Sequence, residues 1–162
     1  MFFHAMRAAG LVAMSTLVAF AGDRQVSLQG VETGHYISHF TSAFTLSSVD
    51  FAEGIAPRVG KYTLLAREEI DLQTRDIRDG EFVMTAANGG TIRGTYSGAA
   101  SFGDGSISWV ADGSIAGGTG RYAGATGTIH FEGFSNTSTC QPLEQDFVCG
   151  FTEATAIELV LP

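Results

Sequence analysis

The most distinctive stretch of the chain is Gly117-Gly118-Thr119-Gly120-Arg121-Tyr122-Ala123-Gly124-Ala125-Thr126-Gly127. Its glycines follow the spacing GxGxxxG, which differs from the GxGxxG of dinucleotide-binding turns, and no Lys-Ser or Lys-Thr pair follows as a phosphate-binding loop requires. Strand-like sequence flanks the stretch, so no helix N-terminus is available to bind phosphate. The stretch therefore predicts a tight turn that glycine permits, and it argues against a nucleotide site.

Glycine is also prominent in the wider composition. The chain has 162 residues and 21 glycines, fourteen of which lie between Gly80 and Gly133. Some fall in turn signals such as Asn88-Gly89-Gly90, whereas others, such as Gly94 and Gly113, interrupt sequence that otherwise reads as strand. Glycine inside a strand marks a bulge or a sharp bend, which strongly curved sheets need. The pattern therefore favours a closed barrel over a flat sandwich.

The alternation of apolar and polar residues indicates an all-β chain, because almost nothing after residue 21 follows the helical period. Turn signals separate the alternating stretches at spacings that suit an antiparallel meander. The predicted strands are His35–Leu46, Lys61–Gln73, Gly80–Ala87, Thr91–Ser97, Ser106–Ala116, Thr126–Phe134 and Phe151–Leu161.

Alternation within these strands also assigns residues to shared faces. In the second predicted strand Tyr62 and Leu64 share a face with Glu68, and in the last one Glu153 lies on the apolar face. A carboxylate on an apolar face either has a raised pKa and acts as an acid or base, or is paired with an arginine such as Arg93. The sequence leaves both alternatives open.

The charge balance excludes several classes of partner. With 9 basic and 17 acidic residues, the chain has a formal net charge of −8. Nucleic-acid binding draws its affinity from clustered Lys and Arg, so we expect no nucleic-acid partner. Attraction to anionic membranes fails for the same reason. A hydrophobic content of 44% with only 16% charged residues is too apolar for a disordered chain.

The N-terminus has the pattern of a secretory signal peptide. Arg7 is followed by an uncharged apolar run from Ala8 to Ala21, which is shorter than the roughly 20 residues that cross a bilayer and ends in Ala19-Phe20-Ala21. We predict a signal peptide over residues 1–21, a single β-barrel domain over residues 22–162, a secreted or periplasmic location and no stable membrane anchor. A retained N-terminal helix and a membrane anchor are the alternatives.

Cys140 and Cys149 are the only cysteines and lie nine positions apart. In an oxidising compartment they would close a short loop, so we predict a disulfide. A redox pair is usually separated by two residues, and a metal site needs more ligands than these. His130 and Glu132 share a face, yet nothing in the sequence brings further ligands to them, so no metal site is predicted.

Two glycine-rich segments carry a resemblance to a known family. The family is suggested by Thr85–Gly98 and Gly117–Gly127, which together resemble the glycine-rich half of bacterial secreted proteins with an allene oxide cyclase-like barrel. The second segment is also similar to the GTGxFxGAxG-type segment of plant dirigent proteins. The resemblance implies an eight-stranded antiparallel β-barrel with a hydrophobic cavity, often assembled as a homo-oligomer and acting without a metal or organic cofactor.

From these features we expect a barrel whose lumen binds a small hydrophobic molecule. The first alternative is a cofactor-independent cyclase or isomerase that acts on a polyketide-like or lipid-like substrate in the same cavity, since such sites work by holding the substrate in a productive conformation. The second alternative is a structural protein with a filled barrel. The predicted catalytic residues are Glu68, Glu153 and Tyr62. The predicted ligand-binding residues are Tyr36, Phe40, Leu64, Tyr96 and Trp109.

Overall fold

Residues 23–162 are described by a computed structural model, and the predicted signal peptide lies outside them. The alternating segments form long strands, and the glycine-rich stretch forms a short helical turn between two of them. The strands in residues 23–162 are β1 (Arg24–Ser42), β2 (Thr45–Ala56), β3 (Gly60–Asp71), β4 (Asp76–Ala86), β5 (Thr91–Gly103), β6 (Ser106–Gly118), β7 (Thr126–Asn136), β8 (Gln141–Leu143) and β9 (Asp146–Leu161). Two single-turn 3₁₀ helices lie at Gly120–Tyr122 and Thr137–Thr139.

The strands close into a barrel. Each strand from β1 to β6 pairs antiparallel with the next. Strand β9 pairs with β7 on one side and with β1 on the other, which completes a ring of eight strands. The short β8 pairs with the start of β9 and extends the wall beyond the end of β7. The predicted eight-stranded antiparallel β-barrel is therefore confirmed.

One predicted strand is wrong. The segment His35–Leu46 contains a hairpin, because β1 ends at Ser42 and β2 begins at Thr45. The turn contains no Gly, Pro or Asn, and hydroxyl groups hold it instead: Ser42 Oγ donates to Thr45 Oγ1 at 3.0 Å, and Thr41 Oγ1 donates to the Thr45 carbonyl at 3.3 Å. The prediction therefore omits most of β2 and the first half of β1. The other six predicted strands are present with shifted ends.

One end of the barrel is closed by the glycine-rich segment. Tyr122 lies in the helical turn of that segment and is buried in the same apolar cluster as Ile92 and Leu159. Arg121 donates from Nη2 to the backbone carbonyl of Arg58 at 2.6 Å. Since Arg58 lies in the turn between β2 and β3, on the opposite side of the ring from the β6–β7 connection, the segment crosses the barrel end. We call this end the closed end.

Two positions in this segment require glycine. Gly117 has a φ of +136° and lies at a bulge in β6 opposite Arg93. Gly127 has a φ of +145°, and a Cβ there would collide with the backbone carbonyl oxygen of Glu158 on β9. Both values lie in the region that L side chains rarely adopt. The predicted turn that glycine permits is therefore present in the structure.

The predicted disulfide between Cys140 and Cys149 is also present, and it ties β8 to β9. Replacing both cysteines with serine is expected to lower the free energy of unfolding by about 2 to 3 kcal/mol, because the bond restrains a short loop in the unfolded chain. Urea unfolding of both proteins, with and without a reductant, measures this loss. The reductant should weaken the wild type by a similar amount and leave the double serine variant unchanged. A wild type whose midpoint ignores complete reduction would contradict the expectation.

Candidate ligand-binding site

The end of the barrel opposite the closed end contains a cavity. The hairpin turns at residues 43–44, 72–75 and 104–105 surround its mouth, together with the start of β9. Inward-facing side chains from all eight strands of the ring line it. The lining residues are Tyr36, Ser38, Leu46, Ser48, Asp50, Leu64, Ala66, Glu68, Ile70, Ile77, Tyr96, Ala100, Phe102, Ile107, Trp109, Ala111, Phe131, Phe147 and Glu153.

The cavity is narrow. The cavity volume is about 50 Å³, and the empty space between its walls is about 680 Å³ when the open mouth is counted. This is room for a few water molecules or for a slender ligand. Most of the lining is apolar or aromatic, and the polar groups are concentrated in a few side chains.

Four carboxylates lie on one side of the barrel interior, and we call them the acidic wall. They are Glu153 on β9, Glu32 on β1, Asp50 on β2 and Glu68 on β3, which are four adjacent strands. Glu32 and Glu153 are directly opposite each other in the β1–β9 register, an arrangement in which two ionised groups would repel. Every Lys and Arg among residues 23–162 is exposed, so no basic side chain neutralises the acidic wall.

Glu68 is held by a tyrosine that reaches it across a glycine. Tyr96 on β5 pairs with Gly80 on β4, and a Cβ at Gly80 would collide with the Tyr96 ring. The Tyr96 hydroxyl donates to Glu68 Oε2 at 2.6 Å. Burial raises the pKa of Glu68 from 4.5 to about 7, although hydrogen bonds from Tyr96 and Ser48 act in the opposite direction. Glu68 therefore changes its protonation state near neutral pH.

The same arrangement recurs at Glu153. Trp109 on β6 pairs with Gly133 on β7, which in turn pairs with Glu153 on β9. Because Gly133 has no side chain, the indole lies against its Cα, and Nε1 donates to Glu153 Oε2 at 2.5 Å. Burial, and then the charge of Glu32, raises the pKa of Glu153 well above its usual value. The protonated form of Glu153 is therefore favoured.

A third aromatic ring crosses a glycine toward Glu32. Tyr62 on β3 pairs with Gly54 on β2, which pairs with Glu32 on β1, and a Cβ at Gly54 would collide with the Tyr62 ring. Glu32 Oε1 accepts a hydrogen bond from the Thr155 hydroxyl. Burial and the charge of Glu32 raise the pKa of Tyr62, so its hydroxyl keeps its proton. Glu32 Oε2 and the Tyr62 hydroxyl are buried with no hydrogen-bond partner among the described residues.

Asp50 completes the acidic wall. Its Oδ1 accepts a hydrogen bond from Ser48 Oγ at 3.1 Å, and Ser48 Oγ lies 2.9 Å from Ser38 Oγ. Burial raises the pKa of Asp50 well above 3.8, and the charge of Glu68 raises it further. Asp50 and Glu68 therefore influence each other, and the ionised form of one disfavours ionisation of the other.

Most of the predicted site residues lie in the cavity wall. The lining includes Tyr36, Leu64, Tyr96 and Trp109, which the sequence predicts to bind ligand, and Glu68 and Glu153, which it predicts to be catalytic. Phe40 is 59% exposed near the mouth, next to a bulge in β1, and it does not line the cavity. Tyr62 lies deeper than the lining, so its hydroxyl does not reach the cavity.

The structure excludes one of the two alternatives for Glu68. Arg93 lies on the outer face of β5 and is exposed, so the suggested pairing of Glu68 with Arg93 is wrong. Neighbouring residues of one strand point to opposite faces, and the even-numbered positions of β5 carry the inward side chains, Tyr96 among them. The partner of Glu68 is therefore a neutral phenol, which leaves its charge uncompensated.

The sequence prediction missed Glu32, Asp50 and the two serines near Asp50. Glu32 has the same parity as the buried residues Val26, Leu28 and Tyr36, so alternation carried through the whole of β1 places it inside. Asp50 lies in β2, which the prediction omits because the turn before it carries no glycine. A predicted turn between Ser42 and Thr45 would have made β2 a separate strand, and alternation along β2 would then have placed Asp50 inside the barrel.

The residue types that bind metals do not converge in the described part of the chain. Among residues 23–162, no group of three His, Cys, Asp or Glu side chains is arranged to hold a metal ion. His130 instead lies 2.7 Å from Asp112, between its Nδ1 and the carboxylate Oδ1, on the outer face of the barrel. Neither of the helices in this range has the length and apolarity needed to cross a membrane.

Comparisons with known proteins add a likeness of fold. No family model matches the chain, and no curated protein does. The chain is similar to the solved structure of the pterocarpan synthase dirigent protein GePTS1, with 13% sequence identity, a TM-score of 0.47, and coverage of 96% of this chain and 100% of that chain. At this identity the likeness is one of fold alone, and the barrel itself follows from the strand pairing described above.

Proposed function

We propose that this barrel binds a small, largely apolar molecule in its cavity. The observation that carries the proposal is the contrast between the two ends of one lumen. At the closed end the inward side chains, such as Tyr122 and Ile92, are buried and packed, whereas at the other end they leave an open cavity. Small-molecule sites usually have apolar walls with a few polar groups. A purely structural barrel has no need of an open cavity.

Each part of the lining has a role in this proposal. Tyr36, Leu64 and Trp109 supply apolar contact surface for the ligand, and Tyr96 and Glu68 supply polar contacts. Phe40 packs near Phe147 at the mouth, with ring centroids 6.4 Å apart, where a ligand would pass on entry.

Filling the cavity is expected to abolish binding. Ala100 is 3% exposed and lines the cavity, whereas its neighbour Ala99 points outward. Ala100→Phe should lower the affinity for the neutral fluorophore N-phenyl-1-naphthylamine at least tenfold, because the new ring occupies the ligand's space. Ala99→Phe adds the same ring to the outer surface and should leave the affinity unchanged. Fluorescence titration measures both.

The contrast between the two variants decides the proposal. If folded Ala100→Phe binds the fluorophore as tightly as the wild type, the fluorophore lies elsewhere and the proposed site is wrong. Ala66→Leu fills the same cavity from β3 with a smaller side chain, and it repeats the test if the larger substitution disturbs folding.

One observation favours a second candidate function, a cofactor-independent cyclase or isomerase. Glu68 lines the cavity with a pKa of about 7, which suits a group that gives and takes protons at neutral pH. Glu153 favours its protonated form in the same cavity, so the two carboxyl groups differ as an acid and a base must. Conversion of a bound molecule by the wild type but not by Glu68→Gln would support catalysis, and recovery of the molecule unchanged from both would support binding alone.

We also propose a secreted or periplasmic location. The disulfide between Cys140 and Cys149 supports it, because such bonds persist mainly in oxidising compartments. In the folded protein Cys149 is only 1% exposed and Cys140 is half-buried.

A further inference from the structure

The polar groups of the cavity are rich in acceptors and poor in donors. Asp50, Glu68 and Glu153 each use one carboxylate oxygen to accept a hydrogen bond from the protein. The second oxygens of Asp50 and Glu153 accept no hydrogen bond from residues 23–162, and Glu68 has the Ser48 hydroxyl as its one further donor. Behind them Glu32 is 1% exposed, and its Oε2 is buried with no partner among the same residues. Buried acceptors without donors are costly, so the cavity favours a ligand that brings hydrogen-bond donors.

The acidic wall also lacks a positive charge. The ring strands that carry it, and the strands across the lumen, place all their Lys and Arg side chains outside the barrel. The whole chain has a formal net charge of −8, which raises the local concentration of cations around the protein. Protons or a bound cation must therefore neutralise the wall.

The geometry favours an organic cation over a metal ion. A metal ion needs several ligands converging on one point, but the four carboxylates are spread over four strands and no three of the described residues converge in this way. The opposite side of the cavity is aromatic, with Tyr96, Trp109 and Phe131 in the lining. Aromatic faces attract ammonium groups and also pack against apolar carbon.

We infer that the molecule bound in the cavity is an organic cation, an amine on an apolar body, whose ammonium group takes the place of the protons that otherwise neutralise the acidic wall. This inference rests on the proposed function, since it names the chemical class of the ligand for the same cavity. The ammonium group donates hydrogen bonds to the free oxygens of Glu68, Asp50 or Glu153. The apolar body lies toward Leu64 and the aromatic lining.

Binding of such a cation is coupled to proton release. Glu68 faces Asp50 on β2 and Tyr96 on β5, and the inward positions of β4 beside it carry no charge. Glu153 faces Glu32 on β1 and Trp109 across β7, and the charge of Asp50 on β2 also acts on it, whereas the neighbouring inward side chains of β7 are uncharged. No cationic group competes for either carboxylate, so the affinity for an ammonium ligand rises with pH as Glu68 loses its proton.

Two probes of equal length test the inference. They are 3-phenylpropylammonium, which stays protonated at both pH 5.5 and pH 8, and the neutral 3-phenylpropan-1-ol. Trp109 is the only tryptophan of the chain and lies in the cavity, so its fluorescence reports binding. At pH 8 the amine should bind at least tenfold more tightly than the alcohol, and the ratio should shrink at pH 5.5. Calorimetry in buffers of different ionisation enthalpy should show protons released with the amine only.

Matched variants connect the effect to the acidic wall. Glu68→Gln should remove most of the preference for the amine, whereas Glu69→Gln, on the exposed outer face of the same strand, should retain it. If the alcohol binds as tightly as the amine at pH 8, the cation inference is overturned while the proposed function stands. If neither probe binds but N-phenyl-1-naphthylamine does, only the cation inference is overturned, and if none of the three binds, both are overturned. If calcium chloride binds and displaces the amine, the wall is a metal site and the cation inference fails.

Discussion

Unfolding at pH 8 is expected to require several kcal/mol less free energy than unfolding at pH 5. In the unfolded chain Glu68 ionises near 4.5, whereas burial in the barrel raises its pKa to about 7. Between these values the folded state holds a proton that the unfolded state has lost, so each pH unit lowers the free energy of unfolding by about 1.4 kcal/mol. Glu68 alone accounts for about 3 kcal/mol across this window.

The other carboxylates act in the same direction. Asp50 and Glu153 have pKa values raised well above their usual ones, so they too contribute stability at low pH that is lost as the pH rises toward their folded values. Asp71 acts oppositely, since backbone N–H groups of Thr74 and Gln73 lower its pKa and its contribution disappears as the pH falls. The maximum of stability is therefore expected in mildly acidic solution, roughly between pH 4 and 5.

Urea unfolding at pH 5, 6, 7 and 8, followed by Trp109 fluorescence, measures the slope. Glu68→Gln should be about 3 kcal/mol more stable than the wild type at pH 8 and similar to it at pH 5, because glutamine resembles the protonated acid and still accepts from Tyr96. Glu69→Gln on the outer face should follow the wild type at every pH. A wild-type stability that stays level or rises from pH 5 to pH 8 would show that the acidic wall is not neutralised by protons.

Gly133→Ala is expected to lower the free energy of unfolding by about 3 to 5 kcal/mol. A Cβ at this position would collide with the indole of Trp109, which is confined by Tyr36 and Phe151 at ring-centroid distances of 6.4 and 5.6 Å. Displacing a packed indole costs about 1 to 3 kcal/mol. It also breaks the hydrogen bond to Glu153 and leaves a buried acceptor unpaired, which costs a further 1 to 3 kcal/mol or so.

Gly150→Ala is the matched control, because a Cβ there would meet only the Gly34 carbonyl oxygen, at 3.8 Å, and should change stability by less than about 0.5 kcal/mol. A double-mutant cycle with Trp109→Leu checks the cause. Once the indole is absent, Gly133→Ala should cost much less than it does in the wild type. Equal costs in both backgrounds would mean that the glycine serves the backbone and not the ring.

Much of the fold was predictable because its signals are local. The alternation of Tyr62, Leu64 and Glu68 places these three side chains inside the barrel, as observed. The glycines that interrupt strands, such as Gly94 and Gly113, favoured a closed barrel, and the structure contains one. The prediction failed at the turn between Ser42 and Thr45, where serine and threonine hydroxyls replace the usual turn residues.

The candidate site was predictable only in part. The alternation of residues placed Glu68 and Glu153 on apolar faces. It could not predict that Glu68 is hydrogen-bonded to Tyr96 and not paired with Arg93, because Tyr96 lies two strands away. Glu32 and Asp50 escaped notice because they lie in segments that the strand prediction omitted. Phe40 lies on the inward face of β1 by alternation. It is nevertheless exposed, because it lies at the end of the strand, where the inward face opens to solvent.

The glycines show which features the sequence alone determines and which depend on the tertiary structure. The sequence alone shows which glycines lie in turns and which lie within strands. The alternation of residues with a period of two then assigns the other side chains to the two faces of each strand. Both inferences depend only on neighbours within a few positions along the chain. The role of the inward-facing Gly54, Gly80 and Gly133 follows only from the register between neighbouring strands. Each one leaves a gap across which an aromatic ring extends toward a glutamate on the next strand. Such pairings join residues up to 44 positions apart in the chain, as Trp109 and Glu153 are. Register of that kind comes from the pairing of neighbouring strands, and closure of the barrel then brings β9 against β1 and completes the acidic wall.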